Sequence, residues 1–178
     1  MIKNPYTIGR PISTPKYLYG RETIVNFIQE QLASSVKVIV LHGQRRICMT
    51  SCVNYISRCV SVDGFIFVPL SLEDKHHYSL DKILYDFARD IIDWLRISRS
   101  AITIPSQDDL KVEPRLFIGI FLKQIYDRLN GKSLVLLLDE FDVLWDDNCS
   151  GINPFIKFLI SIINREEKLF IILFLGRR

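Results

Sequence analysis

The chain has little of what would mark it as stapled, metal-caged or membrane-bound. Four cysteines in 178 residues are too few for a disulfide framework, and they are expected to stay reduced thiols. Cys48, Cys52 and Cys59 fall at spacings of four and seven, which would line one face of a helix. Metal ligation is one reading of that stripe, but no histidine or carboxylate joins it, and small thiols pack well as core hydrophobes. Three histidines leave little for an imidazole site, and His76 and His77, in a polar loop without companion ligands, read as surface residues. An excess of one charge is also missing. With 23 basic and 20 acidic residues the net charge is +3, and no basic stripe interleaved with aromatics indicates nucleic acid. Met1-Ile2-Lys3-Asn4-Pro5 lacks the apolar run of a secretory signal, and Asn164-Arg165-Glu166-Glu167-Lys168 interrupts the apolar segments near the end. No membrane span is expected, and a cytoplasmic location is the default.

What is present is enough apolar material for one sizeable domain, 48% of the residues, in an alternating order. The β-branched run Val36 to Leu41 reads as a strand, and Thr50 to Cys59 has helical periodicity through Val53, Ile56 and Val60. Asp63-Gly64 signals a turn before a second strand, Phe65 to Leu70. Two amphipathic stretches follow, Ser79 to Ile97 and Glu113 to Leu129, with a polar, proline-bounded loop between them. Asn130-Gly131 stops the second helix, and Ser133 to Leu138 is the apolar run of a parallel strand covered on both faces. Asn153-Pro154 opens a helix to Asn164, and Leu169 to Leu175 is a fourth strand. Strands alternating with helices predict an α/β fold: a mostly parallel sheet between helical layers, with binding groups at the carboxyl ends of the strands.

Two motifs fall at those ends. Gly43-Gln44-Arg45-Arg46-Ile47-Cys48-Met49-Thr50-Ser51 has the length of a phosphate-binding loop, which reads Gly, four residues, Gly-Lys, then Ser or Thr. Cys48 and Met49 stand where the second glycine and the lysine belong. Asp139-Glu140 closes the apolar run of the third strand. A strand, a loop of this length and a helix, with an acidic pair on a later buried strand, predict a three-layer P-loop NTPase sandwich.

The segments Gly9-Arg10-Pro11, Tyr19-Gly20-Arg21-Glu22, Gly43 to Ile47 and Leu138-Asp139-Glu140-Phe141-Asp142 resemble prokaryotic AAA-like ATPases, of the STAND and origin-recognition-like branches of the AAA+ superfamily. The resemblance covers nearly all of residues 1–178 as one domain, with 1–35 as an N-terminal adenine-side segment and helix and 36–178 as the core. It implies that Gly20 and Arg21 line the adenine side of the site. It implies also that the strand following the acidic pair inserts beside the P-loop strand. Because the sequence stops at Gly176-Arg177-Arg178, a fifth strand and the helical lid are expected to be absent, so that Val36 to Leu41 becomes an apolar edge. Arg177 follows a strand that in this family ends in a polar sensor residue; a solvated terminal arginine is the other reading.

An intact site of this kind holds Mg²⁺ and ATP. Backbone N–H groups from Gln44 to Thr50 would face the phosphates at a helix N-terminus. Thr50 would ligate Mg²⁺, Ser51 would reach the α-phosphate, Asp139 would hold the metal's water shell, and Glu140 would orient or deprotonate the attacking water. Met49 removes a charge-assisted contact to the β- and γ-phosphates, and Cys48 puts a side chain where a glycine belongs. The combined loss is about 3 to 5 kcal/mol, enough to turn micromolar affinity into millimolar or weaker. Arg45 or Arg46 could reach a phosphate in compensation, or both are exposed loop charges.

Two functions are compatible with these residues. One is an ATP-binding signalling or regulatory domain with impaired binding and little or no hydrolysis, completed by protein partners or by a chain that supplies the lid. The other is a protein-interaction pseudo-ATPase, or a decaying fragment, that binds no nucleotide.

Overall fold

The run Leu134 to Leu138 divides its side chains strictly in two. Leu134, Leu136 and Leu138 enter one core, while Val135 and Leu137 enter another, as the period of two in a strand requires when both sheet faces are covered. In the computed structural model, which describes residues 22–44, 49–144 and 153–177, this run is β3 (Ser133–Asp139). It lies with β1 (Val38–Gln44), β2 (Phe65–Ser71) and β4 (Leu169–Arg177) in a four-stranded sheet of order β1-β4-β3-β2. All three pairings are parallel.

Helices cover both faces. On the side of Val135 and Leu137, α1 (Glu22–Ala33) contributes Ile28 and Leu32, and α2 (Met49–Cys59) contributes Cys52, Val53 and Ile56. Cys52 is therefore a core residue, while Cys59 is exposed. The opposite core is filled from α3 (Leu80–Leu95) and α6 (Pro154–Ile163), with Phe87 meeting Phe155 edge to face at 5.5 Å. This is the three-layer α/β sandwich expected from the alternation of elements, and β4 does insert between β3 and β1.

Two helical elements differ from the expectation. The polar segment before Glu113 contains a short helix, α4 (Gln107–Val112), started by a reciprocal cap in which Ser106 Oγ accepts the Asp109 N–H at 3.2 Å and Asp109 Oδ2 accepts the Ser106 N–H at 3.1 Å. The following helix starts later than Glu113, because Pro114 excludes the helical region for the residue before it, and Glu113 is held at φ −138 and ψ 89. Its first turns, Phe117–Leu122, are π-helical, and it continues as α5 (Lys123–Arg128).

Among the described residues β1 pairs only with β4. Ile39 is buried beneath α1 and α2, but Val38 and Val40 on the other face are 39% and 53% exposed. Val38 and Val40 thus leave an apolar patch on one face of the outermost described strand. His76 and His77 are both exposed. No helix among the described residues is long and apolar enough to cross a membrane.

Candidate functional site

Parallel pairing brings the carboxyl ends of all four strands to one rim of the sheet: Gly43 and Gln44 on β1, Ser71 on β2, Asp139 on β3 and Gly176 on β4. There α2 begins at Met49. Residues from distant parts of the chain meet at this rim because each lies at the end of a buried strand or the start of the helix packed on it.

Asp139 is the most enclosed of the acidic residues there, at 6% exposure. The Thr50 hydroxyl donates to its carboxylate, and the Glu140 N–H donates to its Oδ1 at 3.0 Å. Burial pushes the Asp139 carboxyl above its usual range, against the two hydrogen bonds that favour its ionised form; the charges of Glu73 and Asp142 push it further up. Among the described residues no three His, Cys, Asp or Glu side chains gather into a metal cluster; Asp139 with the Thr50 hydroxyl is a hard-oxygen pair of the kind that contributes to holding a hydrated divalent cation. Thr50 and Asp139, both assigned to the metal from the sequence, are thus brought into contact. Ser51 is buried, at 2% exposure, on the same helix turn. Glu140 follows in the left-handed region at φ 55 and opens a short 3-10 turn, Phe141–Leu144.

The phosphate side of the rim is different. Met49 packs partly buried against the core under α2, and its sulfur would lie 3.0 Å from a Cβ built on Gly43. The residue at the lysine position is thus an apolar contact onto the end of β1. Gln44 continues β1, in register with Arg177, so the strand runs one residue past the loop's first glycine. Gly20, Arg21, Arg45, Arg46, Ile47 and Cys48, all named from the sequence as nucleotide contacts, lie outside the described residues. Asp139 and Thr50 are thus the described residues that would take part in holding a hydrated Mg²⁺, and Met49 carries no charge.

Two acidic residues at the rim had no role assigned from the sequence. Glu73, just past β2, and Asp142, two residues beyond Glu140, both act electrostatically on Asp139. Asp142 also accepts the Gly176 N–H at 3.3 Å. The signal for Asp142 was its place within the segment Leu138 to Asp142; Glu73 had none beyond following a strand.

A four-stranded parallel sheet with helices on both faces and a helix that starts at the rim beside a buried strand-end carboxylate defines a P-loop NTPase-like fold. No family model and no curated protein matches the chain. Among solved structures it is similar to a Walker-type ATPase of Pyrococcus abyssi, with a TM-score of 0.60 and 16% identity over 94% of this chain. The chain spans 48% of that protein, about half its length, and at this identity the likeness is one of fold.

Proposed function

We propose that the chain is an AAA-like, STAND-type ATP-binding domain in which nucleotide binding is impaired and hydrolysis is weak or lost, and that it serves as a signalling or regulatory module. The observation that carries this reading is the division of the rim: Thr50 hydrogen-bonded to Asp139 on the metal side, and Met49 folded onto Gly43 on the phosphate side. Bound Mg-ATP would supply a transferable γ-phosphate and a metal that neutralises its charge. Thr50 would ligate the metal, Asp139 would order its water shell, and Glu140 would orient and deprotonate the attacking water. Without a lysine at position 49 the phosphates lose a charge-assisted contact worth about 1.5 to 3 kcal/mol. The fitting partners are a protein that supplies lid and sensor groups and the chain that carries the signal; the sequence has no basic stripe interleaved with aromatics that would indicate nucleic acid.

Titration of Mg-ATP into the purified chain and into the Cys48→Gly, Met49→Lys double variant tests this. Submillimolar binding by the double variant alone is the expected result, with any turnover lost on Glu140→Gln. Submillimolar binding by the unaltered chain would overturn the disabled loop. Absence of binding by both would favour the second reading, a protein-interaction pseudo-ATPase, which the exposed Val38 and Val40 on β1 support independently.

A further inference from the structure

β4 outruns its neighbour on one side only. β3 and β4 are in register from Leu134↔Leu169 to Leu138↔Leu173, whereas β4 continues beside β1 through Gly43↔Gly176 and Gln44↔Arg177. In a central parallel strand, successive residues turn their N–H groups to opposite neighbours. The Ile171 N–H goes to the β1 side, to the Lys37 carbonyl at 2.9 Å. By alternation the Gly176 N–H turns to the β3 side, beyond the point where β3 ends at Asp139. A backbone donor left unpaired in a partly buried position is costly. The Asp142 carboxylate takes the place of the missing strand, accepting that N–H at 3.3 Å.

The turn that carries Asp142 is well fixed. The Val143 N–H donates to the Glu140 carbonyl at 3.0 Å, and Phe141 and Leu144 on either side of Asp142 are buried in the core. The same turn begins at Glu140 and shares its field with Asp139. A connected path therefore runs from the acidic turn, through the Asp142 carboxylate and Gly176, to Gly43 beside it on β1.

We propose that Asp142 is a positioning residue that couples the acidic turn after β3 to the base of the loop after β1: by holding Gly176 it fixes the end of β4, on which Gly43 and Gln44 are aligned. Its effect on nucleotide rests on the ATP-binding reading above; its effect on the strand ends does not. Anything that shifts the turn at Asp139-Glu140 reaches Gly43 through this bond, and anything that shifts Gly43 reaches the acidic pair.

Hydrogen–deuterium exchange on the whole chain tests the coupling, with Asp142→Ala, Asp142→Asn and Asp142→Ser. Alanine removes the acceptor, serine is too short to replace it, and asparagine keeps an oxygen at the same position. Alanine and serine are expected to speed exchange at Gly176 and at Leu41 and Gly43, whose N–H groups face β4, by about tenfold, the size of one such hydrogen bond, with β2 unchanged. Asparagine should restore protection to within about threefold of the original. Unchanged rates at Gly43 would overturn the proposal, as would uniform acceleration across the sheet or failure of asparagine to rescue. In the Cys48→Gly, Met49→Lys background, Asp142→Ala should also weaken Mg-ATP binding by about tenfold, and equal affinity would overturn the link to the site. If that background binds no ATP, the nucleotide reading fails while the exchange result still decides the coupling.

Discussion

The sulfur of Met49 stands 3.0 Å from where a Cβ would sit on Gly43. The first residue of α2 and the carboxyl end of β1 are therefore packed on each other by a side chain that is partly buried against the core. A flexible thioether at that distance can yield by a few tenths of an ångström, but it loses contacts when it does.

Gly43→Ala is accordingly expected to destabilise the chain by about 1 kcal/mol, and most of that loss should disappear in the presence of Met49→Ala. Urea midpoints for the two single variants and the double variant form the cycle. Strict additivity would show that Met49 does not rest on Gly43.

Asp139 gives a pH signature. Burial raises its folded-state carboxyl above the ordinary 3.8, so ionisation costs the folded state more than the unfolded one. The site's stability is complete below the unfolded value and is lost as pH rises through the folded value. Asparagine keeps an acceptor oxygen for the Glu140 N–H, and its amide can still hydrogen-bond the Thr50 hydroxyl, without the charge. Asp139→Asn should therefore unfold at higher urea than the original chain at neutral pH, and the gap should close as the pH falls below 3.8. A less stable variant at neutral pH would mean that the ionised carboxylate is favoured by its surroundings.

Glu140 occupies the left-handed region, at φ 55, where a Cβ crowds the following carbonyl. Glu140→Gly and Glu140→Ala delete the same carboxylate and differ only in that crowding and in unfolded-chain freedom. The glycine variant should be more stable by about 1 kcal/mol in chemical denaturation. A more stable alanine variant would show that the turn readjusts when the side chain is lost.

The strands were legible because each is a short apolar run bounded by turn residues: Phe65 after Asp63-Gly64, and Ser133 to Leu138 after Asn130-Gly131. α4 was missed because its six residues lie among polar ones, with Leu110 the one buried residue. Its signal was present as the Ser106 and Asp109 pair, a capping box read as a loop. The late start of the next helix was written in Pro114, whose effect on Glu113 outweighed the apolar periodicity of the segment. β1 runs from Val38 to Gln44 rather than from Val36 to Leu41, because His42 and Gly43, of low strand preference, are held in the strand by pairing with β4.

The sequence by itself determined the alternation of strands and helices, the two-faced burial of Leu134 to Leu138, and the position of Thr50 and Asp139 at a helix start and a strand end. These follow from local periodicity and turn chemistry, which act over a few residues. Only the tertiary structure decided that the Thr50 hydroxyl meets the Asp139 carboxylate, that Met49 folds onto Gly43 and that Asp142 completes the ladder at Gly176. Each of those contacts depends on the order and the relative lengths of neighbouring strands. That order is set by how the two faces of the whole sheet are covered, which no local stretch of sequence encodes.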